Sequence, residues 1–307
     1  MALLTEHPLG WADARHVVFA DSAPSRRAPL NFGGSAAPVQ PTGPALIPEQ
    51  RAFVHWLFRE AGLNAELYRE ETLARRLPAC LRAVRASCVG GARNVIQNDP
   101  FLLDRAVAAL VIGVTSFFRD AQVFDELRGR ILPQLINSSN TLRIWSAGCS
   151  DGQELYSVAM LLDEIGWLNR ADLLGTDCRP DALRRAAQGV YSDDEVSAIP
   201  GELSGAHLLR VDAGWQIRSR LRTVIRWRSA DLTHMIEPGT WDLILCRNMV
   251  MYLEPVVAHE VWINLSRALR PGGFLVVGKA ERPGSDQLAP VTRCVFARTS
   301  GMSGYPC

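Results

Sequence analysis

Apolar positions along this chain follow two rhythms, and one gives way to the other near residue 115. From Pro48 to about Gly113 the spacing is helical. Phe53, Trp56 and Leu57 mark one face, Leu73, Leu77, Leu81 and Val84 a second, and Phe101, Leu102, Val107, Leu110 and Val111 a third. Gly62, Pro78 and the Gly90-Gly91 pair read as breaks between these segments. The pattern predicts a small all-helical unit over 48–113. Beyond Thr115, short apolar runs alternate with helical stretches, so an α/β domain with a mainly parallel sheet is expected over 114–301. Its expected strands are Leu142–Ser146, Leu173–Thr176, Leu221–Arg226, Leu243–Cys246 and Phe274–Gly278. Helices are expected around 119–136, 153–166, 180–188 and 255–269, the last stopped by Pro271-Gly272-Gly273. Residues 200–227 do not read as a plain crossover, because HLLRVDAGWQIRSRLRTVIRW alternates weakly, and a small antiparallel insertion is expected there. Residues 1–47, rich in Pro, Ala, Gly and Ser, keep neither rhythm and are expected to form a mobile tail.

The stretch RIWSAGCSDGQELYSVAM, Arg143 to Met160, carries the strongest chemical signal. An apolar strand passes through Gly148 and Gly152 into an amphipathic helix bearing Leu155, Val158, Ala159, Leu162 and Ile165. A glycine turn at the carboxyl edge of a parallel sheet lets backbone approach a ligand. Asp151 and Glu154 suit the start of a helix but repel a pyrophosphate. No Lys follows the second glycine, which excludes a P-loop. An acidic turn suits a cationic ligand, with S-adenosylmethionine, carrying an ammonium and a sulfonium, as the leading candidate. An ordinary capped helix is the plain alternative.

Three further constellations join it. Asp177 follows the next strand, where a carboxylate can accept hydrogen bonds from ribose hydroxyls. The alternative is a cap on the following helix, for which Asp181 is better placed. In DLILCRNMVMYL, Asp242 to Leu253, an apolar strand delivers Cys246, Arg247, Asn248, Met249 and Tyr252 to the same edge. A buried Arg247 needs a partner, either a ligand or a structural acid such as Asp242 or Glu281. Finally, Thr115-Ser116-Phe117-Phe118-Arg119 joins the two rhythms. Adjacent Phe residues cannot share one helix face, so one is expected in the core and the other over a ligand or a domain joint. Arg119 beside them is suited to hold a carboxylate.

Composition excludes several other chemistries. Hydrophobic residues are 48% of the 307 and charged residues 21%, as in ordinary globular proteins. A net charge of +1 offers no general attraction for nucleic acid. No apolar run is long enough to span a bilayer and no signal-like start is present, so a cytoplasmic protein is expected. The 7 cysteines are odd in number and form no CxxC, which suits reduced thiols. The 6 histidines are scattered, so metal catalysis is not expected. The basic residues are Arg throughout except Lys279. Arg75, Arg76, Arg82 and Arg85 make a basic stripe on the second helix, either a solvated face or a dock for an acidic protein surface.

In combination, TSFFRD, IWSAGCSDGQELYSVAM, GTDCRPDALRRAAQGVYS and DLILCRNMVMYLEP, followed by LRPGGFLVVGKAE, resemble the CheR family of chemotaxis receptor methyltransferases. The resemblance spans roughly residues 48 to 300. It implies a Rossmann-like S-adenosylmethionine-dependent methyltransferase sheet, with a small N-terminal all-helical domain and a small antiparallel β insertion. The implied activity is methyl transfer from S-adenosyl-L-methionine to glutamate side-chain carboxylates of a chemoreceptor cytoplasmic domain. The implied enzyme is a cytoplasmic monomer that neither inserts in a membrane nor binds nucleic acid. By motif match, Thr115, Arg119, Gly148, Glu154, Asp177, Asp231, Leu232, Cys246 and Arg247 fall on cofactor positions. Arg119 and Tyr252 fall where the family flanks the transferred methyl group, and Arg75, Arg76, Arg82 and Arg85 where an arginine-bearing helix meets the receptor. A glutamate is already ionised at neutral pH, so no general base is needed.

The chain departs from the family at several places. Gly113 stands where Asn is common, Gln153 and Leu155 alter the usual Glu-Glu-Pro-Tyr, Asp231 replaces a frequent Asn, and Lys279-Ala280 replace His-Ser. Two other functions stay open: a methyltransferase of the same fold with another substrate, or a non-catalytic cofactor-binding signalling module.

Overall fold

The computed structural model describes residues 44–99, 101–111, 113, 115–234, 237 and 239–299, together with the backbone pairing of Val17-Val18. The tail expected over 1–47 lies almost wholly outside the described residues, but Val17-Val18 adds a short strand to the sheet edge. In chain order the strands are β1 (Val17–Val18), β2 (Leu142–Ala147), β3 (Ala171–Asp177), β4 (Val190–Tyr191), β5 (Leu208–Val211), β6 (Gly214–Ile217), β7 (Ile225–Ser229), β8 (Trp241–Cys246), β9 (Leu269–Val277), β10 (Leu288–Pro290) and β11 (Val295–Arg298). Eight of them make one sheet, ordered β1-β7-β3-β2-β8-β9-β11-β10. The six strands from β1 to β9 in this order are parallel, and β11 and β10 finish the edge antiparallel. After β2 the chain builds outward through β3 and β7, then returns to place β8 on the other flank. That reversal opens a crevice at the carboxyl ends of β2 and β8.

Side-chain alternation along the central strands feeds two cores. Ile144, Leu243, Leu245 and Val276 face one side, while Trp145, Ile244, Cys246 and Leu275 face the other. Both sides are covered, which is why these strands read as continuous apolar runs. The first side carries α5 (Ala121–Glu126), α6 (Leu132–Ser138), α7 (Gln153–Glu164) and α8 (Pro180–Gln188). The second is covered by α1 (Pro48–Glu60), α2 (Glu70–Ala83), α3 (Val89–Asn98) and α4 (Phe101–Leu110), together with α12 (Pro255–Ala268). The helical unit is thus one layer of the molecule, sharing its core with the sheet. Between α5 and α6 the helix continues through a π-turn, Leu127–Ile131. The wider turn precedes Pro133, whose ring would otherwise crowd the preceding carbonyls.

Several expectations change. Pro78 sits inside α2 and Gly90-Gly91 inside α3, so neither divides helices; Leu73, Leu77 and Cys80 bury the α2 face against the rest of the layer. Phe101 is 87% exposed and belongs to no core face. Pro271-Gly272-Gly273 is a bulge within β9, where the register against β8 shifts between Trp241 and Leu243. The insertion is a three-stranded antiparallel sheet, β4-β6-β5, flanked by the short helices α9 (Asp193–Val196), α10 (Gly201–His207) and α11 (Ser219–Arg222). The strand expected at Leu221–Arg226 begins only at Ile225, because the Ser219 carbonyl accepts from both the amide and the hydroxyl of Thr223 and closes a helical turn. β7 then pairs Trp227 with Gly175, where a Cβ would lie 2.4 Å from the indole. Among the described residues no helix is long and apolar enough to cross a membrane.

Candidate functional site

The carboxyl ends of β2, β3, β7 and β8 converge on a cleft of about 800 Å³, open mouth included. Its floor begins at the glycine turn. Amides of Gly148 and Cys149 both donate to the Thr176 carbonyl, at 2.8 and 2.9 Å, stitching β2 to β3 as they end. Gly148 and Gly152 have φ of +72° and +84°. At Gly152 a Cβ would stand 2.7 Å from the Trp227 ring and 2.8 Å from Ala186, so only glycine permits both the turn and its approach to α8.

Three carboxylates face the cleft: Glu154, Asp177 and Asp231. Glu154, in the first turn of α7, accepts from the Ser146 hydroxyl at 2.9 Å and from Arg247 Nη1 at 3.1 Å. Arg247 is 7% exposed and donates through Nη2 to the Arg119 carbonyl at 2.7 Å and to Asp120 Oδ2 at 2.9 Å. Lys279 holds the other Asp120 oxygen at 2.7 Å. Burial pushes the Asp120 carboxyl up, but Lys279 and Arg247 outweigh it and hold it below its ordinary range. The partners of Arg247 are therefore Glu154 and Asp120, not Asp242 or Glu281. Asp242 instead takes the Arg143 amide and the Arg270 guanidinium. Glu281, 3% exposed, accepts four amides, those of Gly278, Asn248, Met249 and Met251.

Asp177 accepts from the Ser150 amide through Oδ2 at 2.8 Å, and through Oδ1 from the Arg179 amide and Nε at 3.0 and 3.1 Å. Asp181 caps nothing: α8 has no side-chain cap bond. Asp231 accepts from the amide and hydroxyl of Thr233 and pairs with His234 Nδ1 at 3.1 Å. Burial raises the Asp231 carboxyl, yet these bonds bring it below the ordinary value, and the same contact raises His234.

Thr115, Arg119, Gly148, Glu154, Asp177, Asp231, Leu232 and Arg247 all line the cleft. Cys246 does not: strand parity turns it to the opposite face, where it is fully buried beneath the helical layer. Tyr252 ends the 3₁₀ turn Val250–Tyr252, half-buried and off the cleft wall, and its carbonyl accepts the Arg69 amide. Asp151 is not part of the cleft lining, and its largely buried carboxylate pairs with Arg185 at 2.7 Å. Phe117 and Phe118 are both core residues, edge-on to Tyr191 and Phe124, so neither covers a ligand. Left-handed backbone at Phe118 and Asp120 (φ +48° and +62°) is what lets adjacent rings enter one core. Of the basic stripe, Arg75 and Arg82 are exposed on α2. Arg76 is half-buried with Nε on the Ala109 carbonyl, and Arg85 lies past the helix end at φ +55°. Gln153 and Leu155 are packed, Gln153 reaching Glu195 and Leu155 fully buried, so the altered turn is a well-formed helix start.

Tyr68, Ser150 and Arg179 also line the cleft and had not been singled out in the sequence. Arg179 directly follows the Asp177-Cys178 pair and was within reach of motif reading. Tyr68 was not: it arrives from the helical unit, where an antiparallel bridge to Leu253 sets it against the loop after β8.

A cleft lined by three carboxylates, a tight glycine turn and the apolar walls of Tyr68 and Leu232 fits a nucleoside bearing an amino-acid cation. Over residues 113–293 the chain matches the family described as CheR methyltransferase, SAM binding domain. The chain belongs to that family. It is 31% identical over 261 residues to a chemotaxis protein methyltransferase of Listeria monocytogenes, covering 83% of this chain and 99% of that one. It is 33% identical over 194 residues to chemotaxis protein methyltransferase 1 of Pseudomonas aeruginosa, covering 59% and 70%. The structure of SAM-bound CalS10, an amino pentose methyltransferase from Micromonospora echinaspora, aligns at TM-score 0.32 and 19% identity over 56% of this chain and 53% of that one. This CheR-family protein is a methyltransferase, and its cofactor is S-adenosylmethionine.

Proposed function

We propose that this protein esterifies glutamate side chains on the cytoplasmic domain of a chemoreceptor, working as a monomer in the cytoplasm. The observation that carries the reading is the Glu154–Arg247–Asp120 cluster beside Arg119 at one end of the cleft. It places fixed charges of both signs where a zwitterionic methionyl group and a carboxylate substrate would meet. When bound, S-adenosylmethionine supplies an electrophilic methyl group on sulfur. Asp177 would hold ribose hydroxyls, Asp231 and Leu232 the base, and Thr115 and Gly148 the wall between. Glu154 would take the ammonium and Arg247 the carboxylate of the methionyl part. Arg119 would hold the glutamate carboxylate, already ionised and so in need of no base. Tyr252, on the loop after β8, would meet the substrate protein rather than the cofactor. Arg75 and Arg82, exposed on α2, and Arg85, exposed just past its end, are the stripe residues available to an acidic receptor surface.

The test is transfer of labelled methyl to receptor cytoplasmic fragments, with release of label in mild alkali reporting an ester. Alkali-stable label refutes glutamate as acceptor, and tight cofactor binding with no transfer favours the non-catalytic module. Arg119→Ala should lower methylation by about two orders of magnitude while S-adenosylhomocysteine still binds.

A further inference from the structure

Helix α8 begins against its local preference. N-cap positions favour Ser, Thr, Asp or Asn, whose side chains accept from the first unpaired amides. Here the N-cap is Arg179, with Pro180 next, and no side chain caps the helix. The Arg179 side chain turns into the cofactor cleft, only 6% exposed. Its Nε donates to Asp177 Oδ1 at 3.1 Å and its Nη2 to the Ser150 hydroxyl at 2.9 Å. The space it fills exists because residue 113 is glycine. A Cβ at Gly113 would lie 2.2 Å from Nη1 and 2.4 Å from Cζ. The Gly113 carbonyl in turn accepts the Ser150 hydroxyl at 2.8 Å. Gly113 and Arg179, far apart in sequence, are fitted to one another. A break in a local rule that recurs as tertiary complementarity marks a functional position.

The acceptors of Asp177 show what is at stake. Oδ2 holds the Ser150 amide, while Oδ1 holds both the amide and Nε of Arg179. A carboxylate offers about four lone-pair sites, two on each oxygen. Asp177 therefore keeps one site, on Oδ2. Gripping two ribose hydroxyls needs a site on each oxygen, and the second is the one Nε occupies.

We propose that Arg179 sets the affinity of the cofactor cleft: its guanidinium holds Asp177 until a ribose displaces it. The inference rests on the reading of Asp177 as the ribose acceptor. Displacement separates a buried ion pair, so part of the intrinsic cofactor affinity is spent on opening the site. Removing the guanidinium should tighten binding, which is opposite to the effect expected of a residue that contacts and holds the cofactor.

The experiment is calorimetric titration of the full chain with S-adenosylhomocysteine, plus stopped-flow association, for the parent, Arg179→Ser and Arg179→Gln. Ser restores a capping side chain, and Gln keeps most of the length without the charge. Arg179→Ser should bind at least about fivefold tighter and associate faster, with Arg179→Gln in between. Arg179→Gln alone decides the matter if the Ser variant unfolds. Unchanged affinity in the folded variants overturns the proposal, and weaker affinity overturns it in favour of a cofactor-holding wall. A parent that binds while the variants do not differ leaves the cofactor reading intact. A parent that binds no S-adenosylhomocysteine sinks the reading of the cleft, and the proposal with it.

Discussion

Glu281 is the residue whose replacement tests most directly how the catalytic edge is held. Its two carboxylate oxygens take four backbone amides: Oε2 those of Asn248 and Gly278, both at 2.8 Å, and Oε1 those of Met249 and Met251, at 3.0 and 3.3 Å. Three of these amides belong to the loop that leaves β8 just after Arg247 and bends through Asn248 at φ +57°, and the fourth, that of Gly278, directly follows β9. Glu281→Gln keeps the shape but turns one oxygen into an NH2 that faces two donors. Each buried donor left without an acceptor costs about 1–3 kcal/mol, so the pair costs about 2–6 kcal/mol. Relief from burying a charge works the other way, which leaves about 2–4 kcal/mol. At about 2–4 °C per kcal/mol for a chain of this size, the midpoint of thermal unfolding should fall by roughly 5–15 °C. Calorimetric scans read the shift, and titration with S-adenosylhomocysteine reads the accompanying loss of affinity as Arg247 loosens. A variant within about 0.5 kcal/mol of the parent, with unaltered affinity, would refute the idea that this carboxylate organises the loop.

Gly152→Ala should lower the unfolding midpoint by at least roughly 5 °C, since a left-handed backbone costs about 1–2 kcal/mol and the new Cβ overlaps Trp227 and Ala186; an unchanged midpoint would mean that the turn relaxes. His234 should titrate above its ordinary value, and Asp231→Asn should return it there, as followed by NMR of the ring protons. His234 is raised by folding and Asp231 lowered, so the stability from their pair is lost upward as pH passes the folded His234 value and downward as it passes the folded Asp231 value. The parent's advantage over Asp231→Asn should therefore be greatest between about pH 4 and pH 6.5 and shrink toward pH 8. Charge reversal at Arg75 and Arg82 together should cut methylation of receptor fragments about tenfold at low salt, with S-adenosylhomocysteine affinity unmoved; an equal loss of both would make the stripe structural.

The sequence by itself determined the α/β class, the places of β2, β3, β8 and β9, and the glycine turn, because each rests on local pattern: continuous apolar runs, period 3.6, and Gly where φ is positive. Chain direction also put Asp177 and Arg247 at the carboxyl edge of the sheet, as it must in a parallel sheet, while the other cleft positions came from the motif match to the family. Only the tertiary structure decided what depends on a distant partner. Pro78 stays within a helix because α2 is held by packing along its buried face. Cys246 faces away and Arg247 inward because strand parity and the two cores set the sides. The partners of Arg247, the four amides on Glu281 and the fit of Arg179 to Gly113 join residues up to 128 positions apart. Hydrogen-bond and steric complementarity of that kind has no period, so it leaves no trace in the order of residues until the chain has folded.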